Sequence, residues 1–275
     1  MKSLNKGTLL FSIDLEDVRD QVEDGHQYKE RVPENTHKYL DFLRQYGVRG
    51  TFFVVGETAR KYPGLIAEIV AEGHEIACHS DCHIQLDKQT SESFYREIRR
   101  NLDALYDAGA TEIIGYRAPT FSVTEQTRWV YKILAEVGLK YSSSVLPAKN
   151  PLYGWPEFGY EPRTIDAILE IPISVHRFPM PRLPVVGGVY FRIIPFVLTR
   201  YSVNRYTRAN RPLLTYLHPY DIDVEQEYFM HPDIDNKRHL NWLMHFNRSN
   251  TIPKLEKLVE LCGFQAYDDY YRAYR

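Results

Sequence analysis

His74-Glu75-Ile76-Ala77-Cys78-His79-Ser80-Asp81-Cys82-His83 sets a short run that reads as a strand against two histidines four residues apart. Residues 74–78 fit a buried strand that leads directly into His79. The same grammar extends in both directions. Upstream, a strand at 8–14 is followed by a polar loop and by a helix that Pro33 opens and Gly47 closes, the usual placement of these residues at helix ends. Thr51-Phe52-Phe53-Val54-Val55 is a second strand, and Leu65, Ile66, Ile69 and Val70 give 63–72 helical spacing. Downstream come helix 91–108, strand 112–116, helix 124–137 and strand 139–145. Alternating strands and helices predict an α/β fold with a parallel sheet, open or closed into a barrel.

From about 147 to 190 the pattern loosens into proline- and glycine-rich loops around a short strand at 168–173. A helical stretch near 192–206, a strand at 212–217 and an amphipathic helix at 252–262 complete the chain. No repeat and no linker divides it, so 1–275 is expected to form a single domain with a loop-rich insertion in its second half. Catalytic groups in parallel α/β folds gather at the carboxyl ends of strands. Asp14, His79, Arg117 and His218 each fall just past a predicted strand.

Composition narrows the partners. The chain has 275 residues, 44% of them hydrophobic and 25% charged, with a formal net charge of -2. That balance suits a globular protein with a large core. It lacks the strongly basic character expected for nucleic-acid binding. The run Thr8-Leu9-Leu10-Phe11-Ser12-Ile13 is too short for a membrane span or a signal peptide's apolar region, so a cytoplasmic location and no membrane span are expected. Three cysteines make no even disulfide framework. Cys78 and Cys82 read as small buried residues in a reduced chain.

The chemistry-bearing segments are four. His79 and His83 share a face if their stretch is helical, so both imidazoles could reach one ion; a polar helix start with incidental histidines is the plain alternative. Asp14-Leu15-Glu16-Asp17 supplies carboxylates, one to bind a metal and one to take a proton from water, or else a solvated acidic loop. Arg117, in Gly115-Tyr116-Arg117-Ala118-Pro119-Thr120, can pair with a carboxylate and fix it, and backbone N–H groups after Pro119 could face a substrate oxygen. His218, in Thr215-Tyr216-Leu217-His218-Pro219, is placed to act as a general acid, although a lone histidine there is more often structural.

In this order, the segments resemble the polysaccharide deacetylase superfamily, the carbohydrate esterases built on the NodB homology domain. The resemblance runs through Phe11-Ser12-Ile13-Asp14, Gly50-Thr51-Phe52-Phe53-Val54-Val55-Gly56, Gly73 to Ser80, Tyr116-Arg117-Ala118-Pro119 and Leu217-His218-Pro219. Leu169-Glu170-Ile171-Pro172 and Gly187 to Arg192 look like the subgroup associated with exopolysaccharide and surface-glycan synthesis. The resemblance implies a distorted (β/α)7 barrel that removes N-acetyl groups from an amino sugar in a glycan. It implies one divalent metal, zinc first, with Co2+, Ni2+, Mn2+ or Fe2+ as alternatives. By the same carry-over, His79 and His83 are metal ligands, Asp14 the catalytic base, Arg117 its holder and His218 the general acid. The third ligand is left between Glu16 and Asp17, because the acidic motif departs from the family's spacing. Ser142 stands where relatives carry an aspartate, leaving open what orients the site's histidine. Tyr153, Trp155 and Tyr190 are candidate sugar platforms. A hydrolase of another non-peptide C–N bond and a catalytically silent glycan-binding protein are the rival readings.

Overall fold

The computed structural model describes residues 6–150, 152–177, 181–234 and 237–275. Phe11 divides the first extended run into β1 (Gly7–Leu10) and β2 (Ser12–Leu15). The strands that follow are β3 (Thr51–Val54), β4 (Glu75–Cys78), β5 (Gly115–Tyr116), β6 (Tyr141–Ser142), β7 (Arg163–Ile165), β8 (Ile168–Glu170), β9 (Val186–Gly187), β10 (Leu213–Tyr216) and β11 (Cys262–Gln265). One sheet runs β2-β3-β4-β5-β6-β8-β7 and the other β11-β1-β10-β9. Pairing among these strands is parallel except in the β7–β8 hairpin.

The sheets meet where β1 hands over to β2. A bridge between Ile13 and Leu217 places β2 beside the extension of β10. On the far side, Ile171 and Ile173 donate to Ser142 and Val145, while Ser174 accepts from Val185 and Leu214. The ring is therefore a distorted barrel, carried past β8 by irregular chain. Alternation along the strands sorts the side chains. Leu9, Phe11, Ile13, Phe52, Val54 and Ile76 pack outward under the helices. Leu10, Phe53, Ala77, Tyr141, Leu169 and Leu214 form a second cluster inside. Ser12, Asp14 and Glu16 share a phase with the inner set.

The helices are α1 (Val32–Tyr46), α2 (Gly56–Lys61), α3 (Pro63–Ala71), α4 (Ser91–Asp107), α5 (Val130–Glu136), α6 (Gly188–Ile193), α7 (Phe196–Arg208), α8 (Arg238–His245), α9 (Thr251–Leu261) and α10 (Tyr267–Tyr274). Among the described residues, no helix is long and apolar enough to cross a membrane. α1 ends as expected at Gly47, whose φ of 60° suits a residue without a Cβ. α4 opens with a capping box between Thr90 and Ser93 and buries Phe94, Ile98, Leu102 and Leu105.

Several expected elements differ, and the strands expected at 112–116 and 168–173 are shorter, as β5 and β8. The strand expected at 139–145 shrinks to β6, because the Ser144 and Val145 N–H groups donate to the Glu170 carboxylate instead of a neighbouring strand. The helix expected at 124–137 starts only at Val130. The helix expected at 192–206 becomes α6 and α7 on either side of Pro195, which cannot donate to the preceding turn.

α10 closes the amino-terminal end of the barrel. Its first residue, Tyr267, enters the interior and stacks on Tyr141 with ring centres 5.8 Å apart. Glu75 ties the joint together, accepting from Thr51 Oγ1 at 2.6 Å, Tyr141 OH at 2.7 Å and the Asp268 N–H at 2.9 Å. Burial pushes the Glu75 carboxyl up to about 8 from an ordinary value of 4.5. Between those values the folded chain keeps a proton that the unfolded chain has lost, so this group's contribution to stability falls as pH rises. Glu75→Gln is therefore expected to flatten the fall in denaturant midpoint between pH 5 and pH 8. An identical fall in both proteins would exclude Glu75 as its source.

Candidate metal centre and catalytic site

β2 delivers the acidic segment, and its alternation separates the carboxylates. Glu16 turns inward, where Oε2 lies 2.9 Å from His83 Nε2 and Oε1 lies 3.7 Å from His218 Nε2. Asp17 turns the other way. It caps the short helix Val18–Gln21 by accepting from Arg19 N, pairs with the Arg19 guanidinium, and accepts from Lys61 Nζ at 3.2 Å. Of the two candidates for third ligand, the structure brings Glu16 to the imidazoles and sends Asp17 into a separate ion-pair cluster.

The histidines do meet, but not on a helix. Residues 79–83 form a loop in which Ser80 and His83 have φ of 67° and 54°. This is a sparsely used conformation for residues with a Cβ and must be held by its surroundings. α4 supplies much of the hold. Asn101 Nδ2 donates to the Ser80 and Val54 carbonyls at 2.6 and 2.9 Å, and Glu97 accepts from Cys82 N and Ser80 Oγ. The resulting imidazoles stand 5.0 Å apart, inclined at 70°.

Glu16, His79 and His83 each offer a donor atom within 4.8 Å of the others. Their protonation suits a divalent cation. His79 Nδ1 is 2.8 Å from the Arg117 carbonyl, which fixes the proton on Nδ1 and turns a bare Nε2 to the site. Burial lowers the His79 pKa to about 4, keeping the ring neutral. Burial works against an ionised Glu16, yet the charge and hydrogen bond of His83, with His218 and His79 behind it, hold its carboxyl well below the usual range. One carboxylate and two imidazoles are a donor set that zinc and its neighbours accept. The Glu16–His83 hydrogen bond and a bound cation are alternative ways of satisfying the same two atoms.

Beside this set lies a buried ion pair. Arg117, fully buried, pairs with Asp14 and also donates to Ser12 Oγ at 2.9 Å, the Ser143 carbonyl at 3.1 Å and Tyr267 OH at 2.8 Å. Burial disfavours its charge, but Asp14 raises its pKa on balance. The other Asp14 oxygen is 4.0 Å from His218 Nε2.

His218 has a partner that sequence reading missed. Asp221 Oδ2 accepts from both the His218 backbone N–H and Nδ1, each at 2.9 Å. Behind it, fully buried Arg192 places Nε 3.2 Å from Asp221 Oδ1. Burial opposes the imidazolium, but Asp221, Glu16 and Asp14 together push the His218 pKa up to about 9. The signal was present as His218-Pro219-Tyr220-Asp221, a histidine and an acid three apart at a turn. Glu97 and Asn101 were also missed, although polar residues on the apolar stripe of α4 mark such a support. Ser142 does not reach the imidazoles. Its hydroxyl bonds Ser144 Oγ, which accepts the Ala118 N–H and so braces the loop after Arg117. In that loop Thr120 and Phe121 have φ of 51° and 55°, and the Phe121 N–H is used by the Ala118 carbonyl. Trp155 is not a platform, being buried against Phe158 and Arg163. Tyr153 is partly exposed and donates to Asp87, while Tyr190 is half-buried.

On this distorted barrel an inward-facing acid and two histidines form a group that could hold a metal ion, beside an arginine-held aspartate. Residues 20–141 match the polysaccharide deacetylase family, and residues 143–272 match a domain of unknown function, DUF3473. The peptidoglycan-N-acetylglucosamine deacetylase PgdA of Listeria monocytogenes is 33% identical over 100 residues, 36% of this chain and 20% of that protein. The chain thus matches only about a fifth of the length of that relative. A Mycobacterium smegmatis structure assigned to the polysaccharide deacetylases superposes with a TM-score of 0.69 at 18% identity, covering 99% of this chain and 92% of that one. The allantoinase Puue superposes at 0.62 with 14% identity, covering 99% and 91%. These two likenesses establish a shared fold.

The separation of the acids is measurable. Glu16→Ala is expected to weaken zinc binding roughly 100-fold, at least the upper end of what losing a supporting residue costs. Asp17→Ala should leave zinc affinity near that of the parent protein by competition titration. The opposite ranking would assign the ligand to Asp17.

Proposed function

We propose that this chain is a metal-dependent hydrolase that removes N-acetyl groups from an amino sugar in a glycan. The observation that supports this reading is the meeting of Glu16, His79 and His83 beside Asp14 and His218. Glu16, His79 and His83 are the proposed ligands and zinc the proposed ion; when bound it supplies Lewis-acid polarisation of the acetyl carbonyl and an acidified water. Asp14 is the proposed base. Arg117 anchors one of its oxygens and leaves the other facing the site, so the proton arrives at a fixed atom. The Thr120 N–H, next after Pro119, is the amide assigned to the developing oxyanion. His218, kept as an imidazolium, delivers its Nε2 proton to the departing sugar nitrogen. Asp221 stays behind Nδ1 and holds the ring to that task.

The chain is proposed to work as one unit. Asp14 and Glu16 lie before the first matched segment, His79, His83 and Arg117 within it, and His218 and Asp221 within the second. Neither segment carries the site alone.

His79→Ala is expected to lose both bound metal and acetate release from N-acetylglucosamine oligomers. Full turnover by that variant refutes the scheme. Asp221→Asn should keep its metal and its KM but lower kcat by about 10²- to 10⁴-fold, the usual worth of a positioned acid. Because it removes the largest charge supporting the imidazolium, the alkaline limb of the kcat profile should move to lower pH.

A further inference from the structure

The chain is slightly acidic overall, with a net charge of -2, yet 177–211 is rich in arginine. Arg205 and Arg208 occupy the last turn of α7, where cations complement the helix dipole. That reason does not extend to Arg177, which follows the Val175–Pro184 bridge, or to Arg211, which lies past the helix. Arg177, Arg205 and Arg211 are all half-buried and line one cavity of about 90 Å³ with Ser202, Tyr206 and Ala209. Among the described residues, no carboxylate lines it. Glu161 pairs with Arg211 from outside the lining and is itself largely exposed.

The walls are fixed. Tyr206 OH bonds both the N–H and the carbonyl of Val175, at 2.9 and 3.0 Å, and the Tyr160 ring carries Arg177 at 4.4 Å. Ser202 Oγ is 2.6 Å from Nδ1 of His176, a fully buried ring whose Nε2 has no hydrogen-bond partner among the described residues. A bare acceptor is easier to bury alone than an N–H, which favours the proton on Nδ1. His176 then donates to Ser202, and the serine hydroxyl hydrogen is free to point into the cavity. Thr207, in the last turn of α7, packs against Gly7 at the start of β1. The cavity is therefore on the barrel end opposite the strand ends that carry the candidate active site.

We propose that this cavity binds a phosphate group. Three guanidinium forks and a hydroxyl line one enclosure, a donor set that suits the several oxygens of a tetrahedral phosphate better than a planar carboxylate. The group could arrive as a soluble phosphate ester or as a phospholipid headgroup.

The test uses the full chain and calorimetric titration with inorganic phosphate and pyrophosphate at constant ionic strength. One saturable site is expected, weakened by about tenfold or more in Arg177→Ala/Arg205→Ala, a loss of about 1.4 kcal/mol or more. Arg208→Ala, outside the cavity, should bind like the parent. Arg177→Lys/Arg205→Lys keeps the charge, and with near-UV circular dichroism it separates lost recognition from lost folding. Absence of saturable binding, or equal weakening by Arg208→Ala, overturns the proposal in favour of diffuse positive charge. Sedimentation with phosphatidylcholine vesicles, with and without phosphatidic acid, assigns the source. Capture that needs phosphatidic acid and fails in the double alanine variant indicates a headgroup; phosphate binding without capture indicates a soluble ester. None of these readouts depends on the proposed deacetylation.

Discussion

The buried guanidinium of Arg117 is the constraint from which the rest of the site follows. A cation without solvent exposure must be matched by acceptors placed around it, or the fold loses several kcal/mol. Here the acceptors are Asp14 and Ser12 from β2, Ser143 just past β6 and Tyr267 from α10. Satisfying one side chain thus locks together the first strand, the middle of the sheet and the C-terminal helix. The backbone of the same residue fixes the ring of His79 through its carbonyl. One residue orients both the proposed base and a proposed ligand.

Around that hub the fold spends conformational freedom on the loop 79–83. Two non-glycine residues at positive φ are unfavourable locally, so the arrangement persists only because Asn101 and Glu97 capture its backbone from α4. The result differs from two histidines on a helix. A helical spacing would align the rings along an axis, whereas the loop inclines them at 70° toward Glu16.

The second half of the chain completes the electrostatics. His218 sits among Glu16, Asp14 and Asp221, and Arg192 balances Asp221 from behind. The alternation of charge, arginine to aspartate to histidine to carboxylate, is what keeps the ring both oriented and protonated. The acid that relatives were expected to carry at position 142 is a serine here, and the carboxylate on the histidine comes from Asp221 instead. The segment matching DUF3473 accordingly contributes His218 and Asp221 to the proposed site.

Sequence alone determined the elements whose physics is local. The helical periods of α1, α3 and α4, the apolar strands β3 and β4, and the placement of His79, Arg117 and His218 past strand ends all follow from period, capping and the carboxyl-end rule. It could not choose Glu16 over Asp17, because that choice rests on which way β2 turns its alternation once paired with β3 and β10. Nor could it find Asp221, Arg192 or the clamp of Glu97 and Asn101, whose partners lie in other elements or across a turn that only the packed chain forms. The brevity of β5 and β6 was equally hidden, since Glu170 takes the N–H groups that would have extended β6. Local pattern states which residues are able to do chemistry. Only the packed barrel decides which of their atoms face one another, because a buried charge selects its partners across the whole fold.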